Sequence, residues 1–292
     1  MAQNGNLLLD IERAVFEKTR EYEDPNNIEE LRTYHVFKHG PQVAQEAKAS
    51  DEVVCIRPAT ERHAMIAIAL AHDIIPPSFA IDIDTNRPWP FTYKRIQIFD
   101  GLSELASFDW FKNLFGDRFD EDTFNFIHDG FVATTTSISK SGEIQQSKIM
   151  TAKNPKAAFI IAKADILGHQ FTALPREQID CNLRFWLEQY PDFVAKLYDP
   201  NFVLNSEVYQ FVREQISKIP ENAIKFYKQQ LDLFIKDGKE VFCLADLKAL
   251  EARLFLANTT PFKTFDHPDW PWVKDKDSLI RRLRSAIGIK LN

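Results

Sequence analysis

Glycine and cysteine are both scarce in the 292-residue chain. Nine glycines are too few for a protein built on glycine-rich loops, or for a β-sandwich with many tight turns. The three cysteines, Cys55, Cys181 and Cys243, are odd in number and far apart. That arrangement argues against a disulfide framework or a cysteine-ligated zinc site, and it is typical of a protein from the reducing cytoplasm.

The chain also lacks a surplus of basic charge and a long apolar run. The 36 Lys and Arg residues face 42 Asp and Glu residues, which gives a net charge of −6, so we expect no nucleic-acid partner. No apolar run approaches the roughly 18–20 residues of a transmembrane helix, and the N-terminal residues do not resemble a signal peptide. We therefore expect a cytoplasmic protein without a membrane partner, and its 45% hydrophobic residues suffice for a sizeable core.

Hydrophobic periodicity along the chain is mostly helical and predicts an all-α fold. Pro41 should kink the first of these helices near Gly40. Long loops are expected at Ser78–Tyr93 and Ser137–Ser147, and a short β segment could form at Val241–Cys243. The predicted helices are Ile28–Lys48, Thr60–Ile74, Lys94–Phe115, Asp120–Thr135, Pro155–Phe171 (capped by Asn154), Glu177–Tyr190, Asn205–Lys218, Ala223–Lys236, Leu244–Ala257 and Lys276–Ile287.

Three helices carry residues that could share one cation. His35 and His39 are four residues apart, which places both imidazoles on one face of a continuous helix. His72 and Asp73 fall at the end of an apolar helix, and Asp165 lies in the middle of another among apolar neighbours. A buried carboxylate is costly unless it is paired or binds a metal, and nitrogen and oxygen donors of this kind suit zinc, manganese or iron.

This pattern resembles the HD superfamily of metal-dependent phosphohydrolases, whose signature is H…HD…D. The matching residues are His39, His72-Asp73 and Asp165. The Tyr34-His35-x-x-x-His39 element is similar to the YHxxxH element of the cyclic-nucleotide phosphodiesterase branch. Ala133-Thr134, and the Ala-Asp-Ile-Leu-Gly run around Asp165, are similar to segments of the same branch. After Asp73 the chain departs from the family, since Ile74-Ile75-Pro76-Pro77 follow.

The resemblance implies an HD-type, phosphodiesterase-like helical bundle over residues 1–174, with residues 175–292 as a helical extension packed on it. It also implies an enzyme that hydrolyses a nucleotide-like phosphoester, either a diester or a monoester, with metal-activated water. His39, His72, Asp73 and Asp165 would hold a divalent ion (Zn, Mn, Fe or Mg). Asp73 would bridge to a second ion if one is present, and His35 would protonate the leaving group.

Several further residues are weaker candidates. Lys38 and Arg95 could contact phosphate by charge alone, and His128 could join a second metal. Asp82 and Asp84 could bind a cation, although solvated loop carboxylates are commoner. The Trp89, Phe91 and Tyr93 alternation could form an aromatic wall or ordinary packing. His63, His169 and His267 are interpreted as capping, surface or loop residues, and the Arg281-Arg282-x-Arg284 cluster as the cationic end of a terminal helix.

Two other functions stay open at this point. Some HD folds hold two irons and activate oxygen, a use that needs extra histidine ligands and makes His128 decisive. Alternatively, the protein could be a regulatory or scaffolding module that keeps the metal site for stability. His35 argues against the second alternative, because a purely structural site needs no proton donor.

Overall fold

The structure is a computed structural model, and it describes residues 2–35, 39–54, 59–138, 144–146, 148–149, 152–170, 175–237, 244–259 and 273–290. The predicted all-α class is confirmed, since helices dominate the described residues and the strands found there form two short hairpins. The helices are α1 Ala2–Thr19, α2 His39–Val54, α3 Ala59–Ala71, α4 Leu102–Phe115, α5 Glu121–Ala133, α6 Pro155–Gln170, α7 Pro175–Glu188, α8 Pro191–Tyr198, α9 Ser206–Asp237, α10 Leu244–Thr259 and α11 Lys276–Ala286.

Helix α3 lies at the centre of the N-terminal half. From Ala64 to Ala71 nearly every side chain is buried, because α1, α2, α5 and α6 all pack against this helix. A Cβ atom on Gly40 would lie 2.4 Å from the carbonyl oxygen of Leu70, so glycine permits the close approach of α2 to α3. This approach brings the start of α2 next to the end of α3, where the predicted site residues lie.

The predicted helix Ile28–Lys48 is wrong in its first half. Residues 24–35 form turns and bends, and helix α2 begins only at His39. Pro41 is the third residue of α2, where its missing N–H would have had no partner within the helix. Pro41 therefore belongs to the start of a helix and does not kink one. His35 lies in the segment that leads into α2 and not on the same helix as His39.

The predicted loop Ser78–Tyr93 contains a β-hairpin. Strand β1 (Phe79–Ile83) pairs antiparallel with β2 (Tyr93–Gln97), so the helix predicted from Lys94 begins only at Leu102. Two further short strands, β3 (Ser137–Ile138) and β4 (Ile144–Gln145), pair within the second predicted loop. Both hairpins are too short to show the alternating pattern of a longer strand.

Charged and aromatic residues of the first hairpin region have structural partners. Arg87 pairs with both Asp82 and Asp84, so a side chain supplies the positive charge beside these carboxylates, for which the sequence left a bound cation or simple solvation open. Phe91 is fully buried in a core, whereas Trp89 and Tyr93 are exposed. The three aromatic residues therefore do not form a common wall.

Two hydrophobic cores fill the described part of the molecule. The first core gathers α1 to α6 and includes Leu231 and Phe234 of α9. The second core gathers α7, α8, α11 and the first half of α9, together with Leu31 and Phe91 from the N-terminal half. Each core thus contains residues from both sides of the predicted boundary at residue 174, which itself stays a prediction.

Helix α9 is one continuous element of 32 residues where two helices were predicted. Pro220 costs one backbone hydrogen bond, but the helix buries its first half in the second core and its last turns in the first. Val241–Cys243 lie outside the described residues. Among the described helices, none combines the length and apolar character that crossing a bilayer requires.

The arginine cluster near the C-terminus fastens α11 to its neighbours. Arg282 pairs with Asp180 of α7, and Arg284 donates to the carbonyl oxygens of Leu197 and Asp199 at 2.8 and 2.6 Å. These contacts use the guanidinium groups within the fold. The sequence predicted a cationic helix end, and in the structure two of its arginines also hold α11 against α7 and the end of α8.

Candidate metal centre

Four side chains predicted from the sequence converge at one point. His39 begins α2, His72 and Asp73 follow the last residue of α3, and Asp165 lies in α6. One ligand atom from each residue lies within 4.8 Å of the ligand atoms of the other three. The helix end after Ala71 lets His72 and Asp73 reach the same point, although neighbours within a regular helix diverge by about 100°.

The distances among the donor atoms fit a single divalent cation. His39 Nε2 lies 3.2 Å from both His72 Nε2 and Asp73 Oδ2. Asp165 Oδ1 lies 3.4 Å from His39 Nε2 and 3.1 Å from His72 Nε2. Donors held about 2.1 Å from one ion lie roughly 3.0–3.4 Å apart in octahedral or tetrahedral geometry. Two imidazole nitrogens and two carboxylate oxygens at this spacing could therefore hold a divalent metal ion.

Neighbouring groups orient two of these four side chains. His72 Nδ1 is 3.1 Å from the carbonyl oxygen of Ala69 and donates to it, which leaves the lone pair of Nε2 for the cluster. The Gln146 side-chain amide donates to Asp165 Oδ2 at 3.0 Å, so the other carboxylate oxygen, Oδ1, faces the histidines. Both contacts are typical of the hydrogen bonds that support metal ligands.

The charges within the cluster depend strongly on one another. Burial opposes a charge on His72, but the Asp73 and Asp165 carboxylates outweigh that effect and raise the pKa of His72 well above its usual value. Burial likewise opposes ionisation of Asp73, yet His72 and His39 lower the pKa of this carboxyl well below its usual value. Two half-buried carboxylates at one point thus favour positive charge between them, which a proton or a metal cation can supply.

His35 connects this cluster with the C-terminal half. His35 Nδ1 is 2.5 Å from Glu188 Oε1, at the last residue of α7, and His35 Nε2 lies 4.0 Å from Asp73 Oδ2. The other Glu188 oxygen accepts the backbone N–H groups of Thr33, Tyr34 and His35 at 3.0, 2.7 and 3.1 Å. One buried carboxylate therefore holds both the imidazole of His35 and the non-helical segment that carries it.

The His35–Glu188 pair favours its ionised form. Burial opposes ionisation of Glu188, but His35 and the backbone N–H groups lower the pKa of this carboxyl to about 2. Burial also opposes a charge on His35, but Glu188 outweighs this and raises the pKa of the imidazole. A protonated His35 with Nε2–H towards the cluster is the form that a general acid requires.

A cavity of about 420 Å³ opens beside the cluster. Asp73, Asp165 and His35 form part of its wall, and Thr134 of the predicted Ala-Thr pair lies on the same wall. The C-terminal half supplies much of the remainder. The aromatic residues that line the cavity as a whole are Tyr34, Phe99, Phe185, Trp186, Tyr190 and Phe226. The side-chain amides that line it are those of Gln97, Asn182, Gln189, Gln215 and Asn222.

Glu104 brings one more carboxyl group to this cavity. Its side chain is buried, and it accepts the hydroxyl of Ser103 at 2.8 Å. Burial and the nearby Asp73 carboxylate raise the pKa of Glu104. The position of Glu104 near Asp73 was not predicted from the sequence.

Other predicted candidates do not join the cluster. His128 is half-buried and lies 3.6 Å from Asp129, outside the group of four ligands. Arg95 is buried, and its guanidinium donates to the carbonyl oxygens of Ile28, Glu29 and Leu31, so its predicted phosphate contact is wrong. Lys94 lies on the cavity wall instead. Lys38, His267 and the side chain of His169 lie outside the described residues.

Glu188 and Gln146 were missed by sequence reasoning for a physical reason. Glu188 is 153 residues from His35, and Gln146 lies in a polar segment without a motif. The signal available for Glu188 is a carboxylate that directly follows the apolar residues Trp186 and Leu187 of an amphipathic helix. Such a position predicts burial but not the partner.

We compared the chain with protein-family models, with curated proteins and with solved structures, and none of the three comparisons found a match.

Proposed function

We propose that this protein is an HD-type metal-dependent phosphohydrolase that cleaves a nucleotide-like phosphoester with metal-activated water. The observation that carries the proposal is the orientation of His35 beside the four ligands. Its Nδ1 contacts Glu188 at 2.5 Å, while its Nε2 lies 4.0 Å from Asp73. A cluster that served stability alone would gain nothing from a buried, charge-stabilised imidazole on the cavity wall.

The four converging residues would hold the cation. When bound, such a cation lowers the pKa of a coordinated water to about 7 and polarises a phosphoryl oxygen. The Ala69 carbonyl keeps His72 in the tautomer that a ligand needs, and Gln146 fixes the orientation of Asp165. Both hydrogen bonds reduce the reorganisation that binding requires.

His35 would complete the cleavage as the general acid. A water that has given one proton to solvent would attack as hydroxide: its oxygen bonds to phosphorus, the bond from phosphorus to the leaving oxygen breaks, and the leaving oxygen takes the proton from His35 Nε2. Glu188 keeps the imidazolium in place before transfer through its contact with Nδ1. The neutral imidazole then regains a proton from solvent.

The cavity supports a substrate with a planar, nitrogen-rich leaving group. Aromatic rings offer stacking surfaces, and the side-chain amides offer both donors and acceptors for the edge of a base. Lys94 and Lys218 add positive charge suited to a phosphoester. With about 420 Å³, the cavity falls in the range of small-molecule sites.

The test combines metal analysis with phosphoester assays. Purified protein loaded with Mn, Zn, Fe or Mg is assayed on p-nitrophenyl phosphate, bis(p-nitrophenyl) phosphate, nucleoside monophosphates and cyclic nucleotides. Asp73→Ala and Asp165→Ala should lose metal and turnover, whereas His35→Ala should keep metal and lose about 10²–10⁴-fold in kcat.

His128→Ala is the matched control, since this half-buried histidine lies outside the cluster. It should keep both metal and activity. Full metal occupancy in Asp73→Ala, or no turnover of any phosphoester by metal-loaded protein, would overturn the proposal. Iron-dependent oxygen uptake that is lost in His128→Ala would instead favour the di-iron alternative.

A further inference from the structure

A second cavity lies on another side of the segment that carries His35. It has a volume of about 380 Å³ and shares no lining residue with the first cavity. Arg32 and Thr33 contribute to its wall from the N-terminal half, and Arg184 and Tyr198 contribute from α7 and α8. The Thr33 hydroxyl donates to the carbonyl oxygen of Arg184 at 2.6 Å, which joins the two sides.

Both arginines of this cavity are buried. Arg32 and Arg184 are each 8% exposed. Within the described part of the chain neither guanidinium makes an ion pair, and the Nε atom of each has no hydrogen-bond partner. Burying a charge without a close counter-ion is costly, so two such groups around one cavity favour a bound anion between them.

The contacts that these guanidinium groups do make are weak substitutes for a carboxylate. Arg32 Nη1 donates to the carbonyl oxygens of Glu29 and Leu31 at 2.9 and 3.1 Å. Arg184 contacts the thiol of Cys181, a residue that is itself buried. Neither a carbonyl oxygen nor a neutral thiol supplies the negative charge that a buried guanidinium attracts.

The carboxylates of Glu188 and Glu30 attract the Arg32 guanidinium through space, but within the described residues neither forms an ion pair with it. Glu188 is already bound to His35 and to three backbone N–H groups. Glu23 lies on the cavity wall but is exposed, and no ion pair joins it to Arg32 or Arg184 in the described part of the chain.

We propose that this cavity binds a small phosphorylated molecule whose phosphoryl group contacts Arg32 and Arg184. Planar guanidinium groups match phosphate oxygens in geometry and charge, and the Tyr198 hydroxyl adds a neutral donor on the same wall. A volume of about 380 Å³ is near the lower end for ligand sites, so the ligand is small. The site is distinct from the metal centre and does not depend on the proposed hydrolysis.

The position of this site connects it to His35. Arg184 lies four residues before Glu188 on α7, and Arg32 lies three residues before His35. An anion that draws the two guanidinium groups together would hold α7 against the segment 32–35, the same contact that Glu188 makes. Its binding should therefore stabilise the folded protein as a whole.

The test measures phosphate binding to the full chain after metal has been removed by chelation. Inorganic phosphate and adenosine monophosphate are titrated by calorimetry, and thermal unfolding is followed at constant ionic strength with chloride as the reference anion. Arg184→Gln should lose at least about tenfold in affinity for both ligands, since it removes a charged donor. Arg118→Gln, which removes the same charge from an exposed position, should bind like the unaltered protein.

Further variants keep the test decisive if Arg184→Gln does not fold. Arg184→Lys keeps the charge but not the planar donor group, and Tyr198→Phe removes only a hydroxyl; each should bind more weakly than the unaltered protein. Tighter binding of adenosine monophosphate than of inorganic phosphate would identify a nucleotide ligand. No phosphate binding, or equal binding by the unaltered protein and every folded Arg184 and Tyr198 variant, would overturn the proposal.

Discussion

At the scale of single residues, the site depends on how each imidazole is held. His72 is oriented by a carbonyl oxygen, whereas His35 is oriented by a carboxylate. A neutral acceptor suits a ligand that must offer a lone pair to a cation, and a charged acceptor suits an imidazole that must carry a proton. The hydrogen-bond partner of each imidazole thus fits its proposed role, which is metal ligand for His72 and proton donor for His35.

Replacing Glu188 with Gln tests its role as a positioning residue for His35. We expect Glu188→Gln to keep its metal and to lose about 10–100-fold in kcat, because the imidazolium loses its counter-charge. Since Glu188 raises the pKa of His35, that pKa should be lower in the variant. As the pH rises, the variant should therefore lose activity at a lower pH than the unaltered protein does. Metal content and the pH profile of kcat are the measurements.

A purely structural role for Glu188 would give a different result. Activity and metal content would then fall together, and the shape of the pH profile would not change. Glu188→Asp provides the conservative comparison, because it keeps the charge on a shorter side chain. Partial recovery of activity and of the alkaline limb in Glu188→Asp would support positioning by charge.

Sequence reasoning identified the residues of the cluster but not those that orient them. The histidines and aspartates form a recognisable pattern, because chemistry restricts which side chains can bind a cation. Glu188 and Gln146 are restricted only by geometry, since many polar side chains could donate to or accept from a ligand. Their roles follow from the packing of α7 and of the segment at residue 146.

At the scale of elements, helix ends determine the geometry of the site. His39 is the first residue of α2, and His72 and Asp73 follow the end of α3. The row of residues at four-residue steps from Leu31 to Ala47 is buried throughout, although only its second half is helical. Burial was therefore predictable from periodicity, while the start of the helix was not, because Pro41 fits a first turn as well as a kink.

Gly40→Ala tests the close approach of α2 to α3. The added Cβ would lie 2.4 Å from the Leu70 carbonyl oxygen, so the two helices must separate and His39 must move away from His72. We expect a loss of about 1–3 kcal/mol in the free energy of unfolding together with weaker metal binding. Urea denaturation and metal titration measure the two effects.

Gly116→Ala is the matched control for that variant. Its added Cβ would lie 3.5 Å from Lys112 Cγ, an ordinary van der Waals contact, and Gly116 has a right-handed φ of −60°. Stability and metal affinity should therefore change little. A Gly40→Ala protein with unchanged metal affinity would show that the approach of the helices does not position His39.

At the scale of the whole molecule, helix α9 links the two hydrophobic cores. Val212 and Ile216 lie in the second core, and Leu231 and Phe234 lie in the first. Glu188 adds a polar link between the same halves through the segment 33–35. The predicted boundary between a site-bearing half and an extension thus divides the chain in sequence, whereas each hydrophobic core contains residues from both sides of it.

Metal removal tests whether the two cores unfold together. A cation that binds only the folded state at 100 times its Kd adds about 2.7 kcal/mol to the free energy of unfolding, which raises the Tm of a protein of this size by roughly 4–5 °C. Because α9 belongs to both cores, we expect calorimetry to show one transition that moves as a whole between chelated and metal-loaded protein. His128→Ala should shift in the same way, whereas Asp165→Ala should not respond to metal. Two transitions, of which only one responds to metal, would mean that the cores are independent and that α9 frays between them.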